Sequence, residues 1–339
     1  MKKPINSLQA GRAIASLAVA AHHSGIAIAD FIGGMPAVLQ RILDYGYLGV
    51  DFFFVLSGFI IYYSNRDLPD RRGWSRRYAA NRFTRIFIPY LPIGMSMAFA
   101  YTVLPDAAGA QRGWAWFPTL TLFPAGSPAL SVAWTLQHEV FFYGLLWLFL
   151  RTRQILPGYL LWTASIIAAN LFAATPSIPL EFINLEFLFG IFAARCLAND
   201  SFQNGTLWII VGFIAIITFF LIGKRDTSFI FGLGIACLLV PLVRAECAGR
   251  LEVGAPFLLL GAASYAIYLV HCPLISLSIR LSALIGAGWL MTLIALLVVS
   301  TIAGVAYHLL IETPAIRLAR GLLDQGRAGL ETPTRLHVE

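Results

Sequence analysis

The chain is a succession of long apolar runs separated by short polar connections. Ten runs are near the length of a membrane-crossing helix, about 20 residues. They are Leu8–Ile28, Tyr47–Ser64, Ile86–Leu104, Trp134–Leu150, 158–175, 182–198, 206–222, 228–243, Pro256–Ile279 and Gly286–Ile311. Apolar positions fill each run instead of alternating with polar ones, which excludes the strands of an outer-membrane barrel. The pattern predicts an all-α, polytopic integral membrane protein of about ten transmembrane helices. Pro89 and Pro92 should kink the start of the third span. The connection before Ser131 holds Trp114, Trp116 and Phe117, side chains suited to a membrane interface.

Composition sharpens this picture. Of 339 residues, 58% are hydrophobic and 12% charged. A soluble domain of this size could not hide so much apolar surface. A coiled coil, a disordered chain and a disulfide-stapled secreted domain are excluded on the same ground. The net charge of +7 does not point to nucleic acid, because the basic residues sit between the apolar runs. With both termini in the cytoplasm and every span crossing, only Arg41, Arg112, Lys224, Arg225 and Arg280 fall outside, leaving 19 of the 24 Lys and Arg inside. The densest basic stretch holds Arg66, Arg71, Arg72, Arg76, Arg77, Arg82 and Arg85. Near a membrane surface each such residue attracts anionic lipid by about 1 kcal/mol. No internal repeat breaks the chain, so residues 1–320 read as one transmembrane domain and 321–339 as a cytoplasmic polar tail. Lys2 and Lys3 precede a run interrupted by Arg12, His22 and His23, which does not read as a cleavable signal. Cys196, Cys237, Cys247 and Cys272 lack paired spacing and read as small apolar residues, so no metal site is expected.

Ionisable groups inside apolar helices are costly and usually mark function. Arg12 and His23 are 11 residues apart; at about 100° per residue they share a helix face, separated by about 16 Å along the axis. Ser16 and Val19 lie on the same stripe, whereas His22 points away. One reading gives this face a chemical role. The other has Arg12 reach to the headgroups while His23 hydrogen-bonds a neighbouring helix. Span four opens WTLQHEVFFY, with Thr135, Glu139 and Tyr143 on one face at four-residue spacing. Buried Glu139 needs a cation or a hydrogen-bond donor; it could orient a histidine, bind a sugar hydroxyl or link two helices. His138 points elsewhere and reads as interfacial. In span nine Ser264, Tyr268 and His271 share a face, which packing alone could explain. Asp51 and Glu186 are further partly buried acids without an evident partner. His308 and Glu312 form a four-residue pair suited to anchoring the tail. Arg82 and Arg85 face the same way on a helix and could clamp a pyrophosphate through bidentate hydrogen bonds. No phosphate-binding glycine loop or serine-nucleophile elbow supports ATP hydrolysis or esterase chemistry.

Together these pieces resemble the acyltransferase-3 membrane family. The resemblance rests on RAIASLAVAAHH, GYLGVDFFFVLSGFII, RFTR, WTLQHEVFFY, ASYAIYLVHCPLI and IETPAIR, in that order from Leu8 to about Arg320. The polysaccharide-modifying branch, similar to exopolysaccharide acetyltransferases, is the nearest. The resemblance implies an enzyme of the bacterial-type cell envelope, in the cytoplasmic (inner) membrane. It would move an acyl group, commonly acetyl, from cytoplasmic acyl-CoA to a hydroxyl of an extracytoplasmic or lipid-linked glycan. It implies that His23 is catalytic with Arg12 as its motif partner, that Glu139 is the acid of the Trp-to-Glu motif, and that Arg82 and Arg85 contact the CoA phosphates. Asp51, Glu186, Tyr268 and His271 are candidates for substrate contact or for structure. The expected partners are acyl-CoA, the glycan acceptor and membrane lipid, with no tightly bound cofactor and no nucleic acid. His23 could act as general base or carry the acyl group. A glycan or small-metabolite transporter is the alternative class; the lack of an inverted repeat argues against it.

Overall fold

The structure, a computed structural model, describes residues 5–65, 73–104, 113–172, 177–198 and 204–328. Lys2, Lys3, Arg66, Arg71, Arg72, Arg112 and Arg335, and residues 329–339 of the tail, lie outside the described residues. The described residues are helical with short connections. The helices are α1 (Asn6–Phe31), α2 (Ala37–Asp44), α3 (Leu48–Asn65), α4 (Trp74–Val103), α5 (Trp116–Thr121), α6 (Trp134–Thr152) and α7 (Ile155–Phe172). They continue with α8 (Leu185–Ala198), α9 (Gly205–Ile222), α10 (Ser228–Cys247), α11 (Ala255–Leu284), α12 (Trp289–Tyr307) and α13 (Thr313–Ala328).

Each expected span coincides with a helix. Eight helical segments among the described residues are long and apolar enough to cross a membrane. α6 and α8 are not among them. α6 carries Thr135, Gln137, His138 and Glu139 in its first turns, which lowers its hydropathy. α8 has 14 residues, about 21 Å, against a hydrocarbon core of about 30 Å. α7, α9 and α12 turn large apolar side chains outward, among them Leu161, Phe213 and Met291, where lipid would cover them.

α1 and α11 pack along their lengths, α3 lies on α8, and α10 backs both α8 and α9. The α3–α8 contact is close because glycines meet backbone: a Cβ at Gly58 would overlap the Phe187 carbonyl, and one at Gly190 the Val55 carbonyl. At one end of the bundle, Glu246 caps α1 across the chain. Its carboxylate accepts from the backbone N–H groups of Asn6 (2.6 Å) and Ser7 (2.8 Å), orphan donors of the first turn. At the other end the Arg225 guanidinium lies over the Tyr47 ring, 4.6 Å from its centroid.

Two features differ from expectation. α4 begins at Trp74, so Arg76, Arg77, Arg82 and Arg85 ride on a continuous helix with Pro89 and Pro92 inside it. The connection before α6 is also more than interfacial. Trp116 and Phe117 are exposed, yet Thr119, Leu122, Ala129 and Leu130 are buried in the bundle. Tyr90 Oη donates to the Thr119 carbonyl (2.8 Å) and Gln137 donates to the carbonyls of Phe123 and Gly126, which pins this segment beside α4 and α6.

Candidate active site

A cavity with an empty volume of about 820 Å³ opens between α1, α3, α4, α6 and α11. Its apolar wall is built by α3 (Phe53, Phe54, Ile60), because that run carries an apolar residue at nearly every position. Its polar groups come from five helices: Arg12, Ser57, Arg82 and Arg85, Glu139 and Tyr143, and Tyr268. Arg12 is held by Ser264, whose hydroxyl accepts from Nε at 3.1 Å and donates to the Gly261 carbonyl. Glu139 accepts from Ser57 Oγ (3.1 Å) and from the Tyr143 hydroxyl, a bond along the predicted four-residue face. Arg82 lies against the rings of Tyr78 and Tyr143. Arg85 lies over Tyr265 and pairs with buried Glu312 at 3.2 Å. Glu312 also holds His308 Nδ1 at 2.8 Å, within a π-helical turn over His308–Glu312.

Arg82 and Arg85 line a second cavity as well. Its other walls include Arg77, Asn81, Arg320 and Leu323, and its empty volume is about 1,320 Å³. Among the described residues, four guanidiniums and no carboxylate line it, which suits a polyanion. The two arginines thus join an anion-attracting mouth to a mainly apolar chamber.

His23 does not line the chamber and connects to it through His271 and Tyr268. Tyr268 lines the chamber, accepts or donates a 2.8 Å bond with Thr135, and packs its ring 5.6 Å from that of His271. His271 Nε2 is 3.2 Å from His23 Nδ1. His23 Nδ1 is also 3.0 Å from the Val19 carbonyl, and Cys272 Sγ is 3.4 Å from His271 Nε2. The donor atoms of His23, His271 and Cys272 lie within 4.8 Å of one another. Hydrogen bonds already account for both imidazole Nδ1 atoms. His23 is half-buried, whereas His271 is fully buried.

The acyltransferase-3 family model, described as an acyltransferase domain, matches residues 5–309. The chain belongs to this family. It is therefore an acyltransferase, one that transfers groups other than aminoacyl, in a multi-pass membrane protein. Among curated proteins it is similar to the exopolysaccharide production protein ExoZ of Rhizobium meliloti (strain 1021), at 29% identity over 314 residues covering 84% of this chain and 93% of that protein. No solved structure matches significantly.

For this acyltransferase the structure gathers Arg12, Arg82, Arg85, Glu139 and Tyr268 around one chamber. It does not bring Glu139 to His23; among the described contacts the groups facing His23 are Val19, His271 and His22. The side chain at His23 Nδ1 is a second histidine and not the acid that the sequence offered. Asp51 and Glu186 are not at the chamber. They are fully buried close to each other, with Ser228 beside them, and among the described residues neither Glu186 oxygen has a hydrogen-bond partner. His138 is buried rather than interfacial: Nδ1 is 3.0 Å from Asn184 Oδ1, and Nε2 is 3.6 Å from Glu181, whose carboxyl is shifted up by burial. Sequence reading missed Ser57, Tyr265, Arg77 and Arg320 as lining residues, and Glu312 as the partner of Arg85. Ser57 and Glu312 sit inside the motifs of GYLGVDFFFVLSGFII and IETPAIR, which is where a signal for them existed.

Proposed function

We propose that this acyltransferase moves an acetyl group from cytoplasmic acetyl-CoA to a hydroxyl of an extracytoplasmic or lipid-linked glycan, in the cytoplasmic membrane, with ten spans and both termini inside. The observation that carries the reading is the pair Arg82 and Arg85, shared by a basic cavity and a mainly apolar one. The nucleotide phosphates of CoA are too charged to enter a bilayer; they would rest on Arg77, Arg82, Arg85 and Arg320. The acyl-pantetheine arm would run through the chamber past Arg12 and Glu139. To react there it would have to pass Phe53 and Tyr268 to His23, which is outside the chamber lining. His23 Nε2 would take the proton of the sugar hydroxyl as its oxygen attacks the thioester carbonyl. The C–S bond breaks, and the proton passes from His23 to the departing CoA thiolate. The ExoZ likeness supports a polysaccharide acceptor.

The test uses purified protein in lipid vesicles with radiolabelled acetyl-CoA at the cytoplasmic face and alkali-deacetylated exopolysaccharide at the other. Arg85→Ala and Arg85→Lys should both weaken acetyl-CoA binding, Lys less than Ala, because it keeps charge but loses the fork. His23→Ala should bind acetyl-CoA normally and lose turnover by about 10²–10⁴-fold, the usual contribution of a general base. Wild-type turnover in folded His23→Ala, or no acyl-CoA binding by the wild type, overturns the reading.

A further inference from the structure

The hydrogen bonds around His23 fix which nitrogen carries its proton. A carbonyl oxygen can only accept, so His271 Nδ1, 2.7 Å from the Tyr268 carbonyl and 3.3 Å from that of Ile267, must be the N–H. A neutral imidazole has one N–H, so His271 Nε2 presents a lone pair. That lone pair faces His23 Nδ1 at 3.2 Å, and the Val19 carbonyl faces the same atom at 3.0 Å. Two acceptors on one nitrogen require an N–H there. His23 Nδ1 is therefore the donor, and Nε2 is left with the free lone pair.

Besides His271, only the Val19 carbonyl among the described contacts presents an acceptor to this nitrogen. His22 Nδ1 bonds the Leu43 carbonyl at 3.2 Å, and its ring meets that of His23 edge-on. Glu139 is committed to Ser57 and Tyr143. His271 is itself held in place: it is fully buried in α11, its Nδ1–H is bonded to the Tyr268 carbonyl, and Cys272 Sγ also lies 3.4 Å from its Nε2.

We propose that His271 is a positioning residue that holds His23 as the Nδ1–H tautomer, so that Nε2 is the atom that accepts the substrate proton. This rests on the reading of His23 as the base. When His23 Nε2 is protonated, the ring becomes a double donor, and its Nδ1–H bond to His271 strengthens as a charge-assisted one. A neutral imidazole gives that support without placing a carboxylate beside the thioester. The lone imidazole favours the Nε2–H tautomer, which has no lone pair at the reacting atom. The Val19 carbonyl alone is a local bond of the kind any helical histidine can make.

The test is the full-length protein in lipid nanodiscs with ¹⁵N-histidine, the His23 signals being assigned by difference from His23→Ala. In the wild type His23 Nδ1 should read as protonated and Nε2 as a bare acceptor. In His271→Leu the two tautomers should mix and kcat should fall roughly tenfold to hundredfold, part of the range for a general base, with KM for acetyl-CoA unchanged. His271→Gln places an amide oxygen where Nε2 was and should recover most of the tautomer pattern and most of kcat; if Leu fails to fold, Gln against wild type carries the comparison. Retention of either the wild-type tautomer pattern or wild-type kcat in folded His271→Leu overturns the proposal, as does an Nε2–H tautomer in the wild type. Full activity in His23→Ala, by contrast, removes the base reading itself.

Discussion

Glu312 shows how one buried carboxylate shapes the donor site. It is almost fully buried and holds two side chains from different segments, Arg85 from α4 and His308 from the π-helical turn. Arg85 is 32% exposed, so water shares in the pair and the strength of a fully buried ion pair does not apply. The placement matters more: with Nη1 of Arg85 held by Glu312 and its guanidinium over Tyr265, the side chain is fixed in the wall that the two cavities share. Glu312→Ala should lower stability by about 1–3 kcal/mol, the cost of leaving buried hydrogen-bonding groups unmatched. It should also raise KM for acetyl-CoA while kcat changes little. Thermal unfolding in detergent and steady-state kinetics check both, and an unchanged KM would mean that Glu312 anchors the helix end only.

Helices α3 and α8 bring an apolar chamber wall and a short buried helix together through glycine. Gly190→Val would drive a side chain into the Val55 backbone and separate α3 from α8. Overpacking of this kind costs about 1–3 kcal/mol or more. The folded fraction on size-exclusion in detergent should fall, and Gly144→Ala, where nothing stands within 4 Å of the new Cβ, should be neutral. A normal elution profile for Gly190→Val would show that the interface adapts. The helices themselves were legible in the sequence, because continuous apolar runs bounded by basic residues leave few alternatives. So was the four-residue logic of Glu139 and Tyr143, which is local to one helix. Partnerships across helices were not. Periodicity says that Asp51, Glu186, His138 and His271 lie within helices; only the packing of α3 on α8, and of α11 on α1, says what each one faces. The buried segment before α6 was hidden for a similar reason: its apolar residues are too few for a span, and their burial depends on Tyr90 and Gln137 reaching across.

At the scale of the whole molecule, charge and contact sort the ends of the helices into two faces. One face gathers the start of α1, the end of α10 with Glu246, and the arginines of α4 with Glu312 and Arg320. The other holds the start of α3 at Tyr47 with Arg225. Both groupings follow from contacts made by residues far apart in sequence, so they do not depend on counting spans. The proposed orientation puts the first face in the cytoplasm, where acyl-CoA is, and it leaves Lys224 and Arg225 as the exception to the positive-inside bias. The Arg225–Tyr47 stack gives that exception a local role. In a background with the four cysteines replaced, Lys224→Cys and Arg250→Cys place single thiols at exposed positions in the connections at opposite ends of α10. In intact spheroplasts a membrane-impermeant maleimide should label Lys224→Cys and spare Arg250→Cys until the membrane is permeabilised. The reverse pattern would invert the protein and put the basic cavity outside, away from the donor. Labelling of both would mean that α10 does not cross.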